Sequence, residues 1–375
     1  MKLVFISHDA QISGGAQQCL FELLKGLKEK DRSLELFVVF PCQGNMIRAC
    51  LPFISGYKII RQPSWVTCNG KKRTKLSLWA KMIKSALKHF FYFKAIKPDA
   101  VITNTLTIPS AALASKWLRC KHIWFIHEVP ADIDYMNFMF SEKYTMSFVN
   151  QFSRKVLLTS QYAFRHYLSY GISSYKMYCL NQAVNLQTNQ ELLVDRQDMT
   201  YTIALVGSFD SNKGQLELLK AIKLLTDKGL QLHCYLVGAD DRAYTALVKQ
   251  YIHNSSLDHQ VSVIPYVDDP TLYFRLSDVA LVCSGSEAFG RVTVEALKCG
   301  IPVIASNVGA NPELIKDGYN GILYRKADID DLAQKIELLS HKELRDSLKT
   351  NFVDSIAREY TREQFSLDFF NAIFE

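Results

Sequence analysis

Short β-type runs alternate with amphipathic helical stretches from Leu3 onward, lapse near residue 185, and start afresh at Thr202. No other feature restricts the fold so much. In the first half Leu3–Ile6 precedes a helix from about Ala16 to Lys30. Leu34–Phe40, Ala100–Ile102, Ile123–Ile126 and Lys155–Leu158 then read as strands. In the second half Thr202–Val206 leads into a helix from Gly214 to Thr226, followed by strands Leu232–Val237, Val261–Ile264, Val279–Val282 and Pro302–Ala305. Strands that take turns with helices pair in parallel and are covered on both faces. Two such runs predict an α/β chain of two doubly wound, Rossmann-like domains facing across a cleft. The length of 375 residues agrees, because it exceeds one ordinary core and suits two of roughly 150 to 200 residues. The expected divisions are 1–185, 200–355, and a C-terminal segment 356–375. Phe365, Leu367, Phe369, Phe370, Ile373 and Phe374 in that segment read as a helix packing back towards the first domain. The polar stretch Asn185–Met199 is the expected linker.

Composition narrows the class. Hydrophobic residues at 48% and charged residues at 22% describe a globular chain. The apolar run Leu3–Ile6 is too short for a signal-peptide core, and no stretch approaches the roughly 20 apolar residues of a spanning helix. A cytoplasmic protein is the expectation, with peripheral association at the inner face of a membrane left open. The nine cysteines are scattered without C-x-x-C spacing, which argues for reduced core thiols over a disulfide framework or a zinc site. A net charge of +7 favours anionic partners.

In doubly wound domains ligands bind beyond the carboxyl ends of the strands, so the loops there are the places to search. Gly207 to Gly214 joins a buried strand to a helix, and Lys213 puts an ammonium beside free helix N–H groups, an arrangement suited to a diphosphate. A lysine in a loop is more often a solvated charge. The run from Ser284 to Leu297 is more specific. Glu287 lies before a helix that begins near Gly290, and Glu295 lies inside it, eight positions on. Gly290 lets a ligand approach the backbone, the helix mouth favours phosphate, and carboxylates accept from sugar and ribose hydroxyls. Glu295 could be a plain surface residue, though Val294, Ala296 and Leu297 suggest partial burial. Ser306–Ile315 is generic strand-loop-helix sequence. In the first half, Ile12 to Ala16 carries Gly14-Gly15 but lacks G-x-G-x-x-G spacing. His127-Glu128 ends a strand without the second histidine of a zinc-protease motif.

Taken together these residues resemble the family 4 retaining glycosyltransferases of GT-B fold. Glu287 to Glu295 is similar to that family's E-x7-E motif, Gly207–Gly214 to its phosphate loop, and Gly14-Gly15 to its N-terminal glycine pair. The likeness is strong from about 200 to 325 and looser before. It implies a hexosyltransferase that takes a nucleotide-diphosphate sugar, retains anomeric configuration by front-face attack, and needs no metal or other cofactor. It also implies roles. Lys213 would bind the diphosphate, with Gly207, Gly15 and Arg291 as further donor contacts. Glu287 would hold the transferred sugar, with backbone N–H groups at Phe289 and Gly290, and Glu295 would bind the ribose. His127 would face sugar and acceptor, making His127 and Glu287 the expected catalytic pair. Two departures stand out. Ser208 replaces a common arginine, which directs attention to Arg291 for compensating charge, and Ala310 replaces a common glycine.

Residues 71–97 contain Lys71, Lys72, Arg73, Lys75, Lys81, Lys84, Lys88, Lys94 and Lys97 with Trp79 and Phe90–Phe93, and no acidic residue. Such interleaving suits a helix on an anionic membrane surface; the plainer alternative is a helix whose aromatics enter the core. Nucleic acid is not an expected partner. The expected acceptor is a glycan or lipid-linked glycan, as in bacterial envelope or capsule assembly. Two alternatives stay open: a non-catalytic glycosyltransferase-like subunit, and a sugar-nucleotide epimerase of the same fold.

Overall fold

The computed structural model describes residues 1–12, 14–67, 74–130, 137–186, 200–240, 242–349 and 359–374. Most of the expected linker and the basic run 71–73 lie outside these. The chain divides into two compact units, Met1–Ala183 with Thr361–Glu375, and Val184–Tyr360.

The first unit contains strands β1 (Lys2–Ile6), β2 (Glu35–Phe40), β3 (Gly56–Ile59), β4 (Val66–Thr67), β5 (Ala100–Thr103), β6 (Lys121–Ile126), β7 (Asn137–Phe138), β8 (Lys155–Leu158) and β9 (Met177–Cys179). Seven of them form a parallel sheet in the order β3-β2-β1-β5-β6-β8-β9, and β4 pairs antiparallel with β7 apart from it. The apolar runs are continuous because both faces are covered. Leu3 and Phe5 of β1 pack with Leu20, Leu23 and Leu24 of the helix Gly15–Lys30. Val4 and Ile6 point the other way and meet Phe93, Ala111 and Ala114, as the two-residue period of a strand requires.

The helix Arg362–Phe374 belongs to this unit. Its Phe365, Phe369, Ala372 and Ile373 join the cluster around Leu20 and Leu23, and Phe369 meets the Phe5 ring at 6.0 Å. Arg362 Nε donates to Glu22 Oε2 at 2.7 Å. Gly26 makes the approach possible, since a Cβ there would collide with Ser366 Oγ and Arg362 Cγ.

The second unit contains β10 (Tyr201–Val206), β11 (Leu232–Ala239), β12 (Val261–Pro265), β13 (Val279–Val282), β14 (Val303–Ser306) and β15 (Gly321–Tyr324). They form a parallel sheet in the order β12-β11-β10-β13-β14-β15. The chain runs outward from β10 through β11 to β12, then returns to lay β13 on its other side. That reversal opens a crevice beyond the carboxyl ends of β10 and β13. The architecture is the expected pair of doubly wound α/β domains. Strand β15 was not foreseen; it follows a tight turn, and its Tyr324 hydroxyl donates to Glu217 Oε1 at 2.9 Å.

Candidate functional site

The loop leaving β10 is shaped by its own polar side chains. Asp210 caps the short turn Ser211–Lys213 by accepting from Asn212 N at 3.0 Å, and Ser208 Oγ donates to Asp210 Oδ2 at 2.7 Å. Gly214 then takes the left-handed conformation, φ +74°, and a Cβ there would strike the Cys283 carbonyl. The glycine thus lets the β10 loop lie against the end of β13. Gly285 N donates to Asn212 O at 2.6 Å and joins the two loops.

Across that junction Lys213 Nζ meets Glu287 Oε1 at 2.6 Å, with side chains 26% and 14% exposed. Ser284 Oγ donates to the same carboxylate oxygen at 2.6 Å. The Glu287 loop rests on the loop after β14. Gly309 has φ +62°, and a Cβ there would lie 2.6 Å from both N and O of Glu287. Ala310 N donates to Glu287 O at 2.7 Å and Ser306 Oγ to Ser284 O at 2.6 Å. Ala310 itself is in the right-handed region, φ −85°, and needs no glycine.

Gly290, φ +89°, opens the helix Arg291–Lys298, which has no side-chain cap and no acid in its first turn. Its leading N–H groups therefore carry the positive end of the helix dipole unopposed by a cap. Arg291 Nε pairs with Glu295 Oε1 at 3.0 Å, so this arginine is directed at Glu295. Burial raises the Glu295 pKa above the ordinary value; Arg291 opposes that rise and Asp269 adds to it. Phe289 is buried with Val184 and Val294, against the ring of Tyr360. Its side chain packs the core. Tyr266, in the loop after β12, is half exposed and bonds through its N to Ala239 O at 3.1 Å.

In the first unit Gly14 precedes the helix Gly15–Lys30, which again lacks a side-chain cap. A Cβ on Gly15 would meet nothing within 4 Å. His127, just beyond β6, is held at both ring nitrogens. Nε2 lies 2.8 Å from Asn104 Oδ1 and Nδ1 lies 3.1 Å from Gln182 Nε2. Asn104 Nδ2 donates to Ala16 O at 2.9 Å, which fixes the amide so that its oxygen accepts from His127. This sets the neutral tautomer with hydrogen on Nε2. Burial, with His8 nearby, pushes the His127 pKa down to about 3. The ring is thus a fixed neutral group rather than a proton carrier near pH 7. The neighbouring Glu128 carboxylate accepts from Thr105 Oγ1, Leu106 N and His127 N, and so braces the ends of β5 and β6.

Of the second-unit residues singled out in the sequence, Lys213 pairs with Glu287, and Arg291 pairs with Glu295 on the helix that Gly290 opens without a side-chain cap. In the first unit Gly15 opens the helix Gly15–Lys30 and His127 lies just beyond β6. Sequence reasoning missed Gly309, Ser284 and Ser306, which shape the Glu287 loop, and Asn104 and Gln182, which orient His127. Only Gly309 carried a signal, as a glycine between a strand and a helix. Among the described residues no three His, Cys, Asp or Glu side chains are grouped to hold a metal ion.

Comparisons with other proteins bear on both units. Residues 13–188 match the sequence model described as Glycosyltransferase Family 4, and residues 194–353 match that described as Glycosyl transferases group 1. An uncharacterized glycosyltransferase of Methanocaldococcus jannaschii is 29% identical over 254 residues, 67% of this chain and 64% of that one. The capsular polysaccharide biosynthesis glycosyltransferase CapM of Staphylococcus aureus is 27% identical over 152 residues, 40% of each chain. The matched segments thus span less than two thirds of either relative. Among solved structures, Anabaena HepE in complex with UDP and glucose superposes with a TM-score of 0.79 at 19% identity, covering 100% of this chain and 99% of that one. That likeness is one of fold.

Proposed function

The chain belongs to the family 4 type of glycosyltransferases with GT-B fold, and from that membership we propose that it is a retaining, metal-independent hexosyltransferase. It takes a sugar from a nucleotide-diphosphate donor and passes it to a glycan or lipid-linked glycan. The observation that carries the donor site is the 2.6 Å Lys213–Glu287 contact across the loops of β10 and β13. A cation for the diphosphate and an acceptor for sugar hydroxyls stand side by side at the strand-order reversal. The capsule relative favours a polysaccharide acceptor, and the UDP and glucose held by Anabaena HepE make UDP-glucose the first donor to try.

The chemistry follows from charge. Breaking the bond between the anomeric carbon and the diphosphate puts negative charge on the departing phosphate and positive charge on the sugar ring. Lys213 and the first-turn N–H groups of Arg291–Lys298 stabilise the former, a preorganised arrangement that acts most strongly as the bond breaks. Glu287 positions the sugar and Glu295 accepts from the ribose. The acceptor hydroxyl attacks on the face the diphosphate leaves, which retains configuration, and passes its proton to the departing phosphate oxygen. With Ser208 tied to Asp210 and Arg291 paired with Glu295, Lys213 is the principal side-chain cation for the phosphates. His127 serves as a neutral positioning group, with Gly15 leaving the first-unit helix N-terminus open.

A thermal-shift screen of UDP-, GDP-, ADP- and CMP-sugars on wild type and Glu295→Ala, with and without EDTA, tests the donor site. A base-specific rise in Tm that EDTA leaves intact and the variant lacks is expected. Turnover only with acceptor, giving a product of unchanged anomeric configuration by NMR, tests the rest. No shift with any nucleotide would favour the non-catalytic subunit, and donor conversion without acceptor would favour the epimerase.

A further inference from the structure

The helix Lys75–Ile96 has two apolar faces, and among the described residues one of them is buried. Leu78, Met82, Ala86 and Phe93 are buried. Trp79 meets the Phe140 ring at 5.6 Å in a tilted arrangement, and Phe90 is half-buried. Most of the aromatics that made the sequence look membrane-directed therefore face the protein. On the opposite side Leu76, Ile83, Leu87 and Phe91 are 81%, 44%, 46% and 67% exposed. Spacings of seven, four and four place them in one stripe along the outer surface. Lys81, Lys84 and Lys88 are exposed and follow one edge of that stripe, while Lys75 and Lys94 stand exposed near its ends. The helix contains no acidic residue. Beyond the other edge, Trp117 is 45% exposed and meets the Phe90 ring at 6.4 Å.

We propose that this outer face is a docking surface for an anionic lipid membrane, with Leu76, Ile83, Leu87 and Phe91 entering the headgroup region and the lysines facing lipid phosphates. The charge pattern selects the occupant. A second copy of the chain, packed face to face on this stripe, would set lysines against lysines, which is unfavourable. A neutral apolar partner would leave the lysines without partners. An anionic bilayer supplies apolar depth and negative charge in one surface, which is what a stripe edged by lysine matches. The surface lies wholly in the first unit and does not depend on the donor-site reading, so either can fail without the other.

Flotation of the full chain with vesicles decides the matter. Phosphatidylcholine vesicles containing phosphatidylglycerol should carry wild type at low salt and release it at high salt, and pure phosphatidylcholine should carry little. The triple neutralisation Lys81→Gln, Lys84→Gln, Lys88→Gln should lower partitioning on the order of 100-fold, at about one kcal/mol per charge. Leu87→Ser with Phe91→Ser should lower it too, since these side chains are exposed and their loss leaves the core intact. Unchanged far-UV circular dichroism and Tm in both variants separate lost docking from lost folding. Absence of wild type from the anionic vesicles overturns the proposal, and so does binding that either variant leaves untouched. Wild type captured by an acidic protein but by no vesicle would reassign the face and reject the lipid.

Discussion

Lys213 and Glu287 neutralise one another while no ligand is bound, yet the proposed reaction gives each a different partner. A diphosphate takes the ammonium, and a sugar hydroxyl takes the carboxylate. Lys213→Met should therefore weaken UDP binding about 10- to 100-fold by calorimetry, the worth of one charge-assisted hydrogen bond at about 1.5–3 kcal/mol. Glu287→Gln frees Lys213 from that contact and should leave UDP affinity equal or tighter while kcat falls. Equal losses of UDP affinity in both variants would refute this division of labour. Glu295 adds a pH dependence. Its pKa is raised, first by burial, so it takes up a proton at a higher pH than an ordinary glutamic acid. UDP affinity should decline as pH falls through that raised pKa, because the protonated group is a poorer acceptor for ribose. Glu295→Gln should bind weakly, with that decline absent. His127, pushed down to about 3, contributes no such limb near neutral pH, and His127→Gln should lower activity without shifting the pH profile.

The loops that hold those residues depend on glycines at left-handed positions. Gly309 and Gly318 have similar φ values, +62° and +73°, but only Gly309 is crowded, by the Glu287 backbone. Gly318→Ala should cost about 1 kcal/mol from backbone strain alone and leave activity unchanged. Gly309→Ala should cost about 1–3 kcal/mol more in urea denaturation, as overpacking does, and lower kcat by displacing Glu287. Matching activity in the two variants would mean the β14 loop does not position that carboxylate. Elements of this kind were only partly legible beforehand. The alternation gave the sheets, and Lys155–Leu158 and Val279–Val282 coincide with β8 and β13, because a strand buried on both faces writes a continuous apolar run. β3, β9 and β15 are short or half-polar and left no such run. Glu287 and Glu295 drew attention through their spacing and resemblance. Ser284, Ser306, Asn104 and Gln182 were not, since a hydrogen bond between loops distant in sequence leaves no local pattern. The Lys75–Ile96 helix shows the same limit: periodicity announces an amphipathic face without saying whether core or solvent receives it.

At the scale of the molecule the two units differ in how acid should act on them. Burial holds His89 at about 4 and His122 and His127 at about 3, all in the first unit. Each folded-state pKa lies below the ordinary 6.5, so the stability they contribute is present above 6.5 and is lost as pH falls towards 3–4. All four tryptophans, Trp65, Trp79, Trp117 and Trp124, lie in that unit too. Acid unfolding followed by tryptophan fluorescence should therefore run ahead of the far-UV circular dichroism change, and coincident curves would argue against separate responses. The Arg362–Phe374 helix has a consequence for synthesis as well. A ribosome delivers residues 184–360, a complete second unit, before the 13 residues that close the first exist. Until they emerge, the Leu20, Leu23 and Phe5 surface they cover has no lid, so the half made earliest is finished last. The interval is set by the speed of translation, and during it the nascent chain offers a greasy opening that a chaperone could shield and a protease could find.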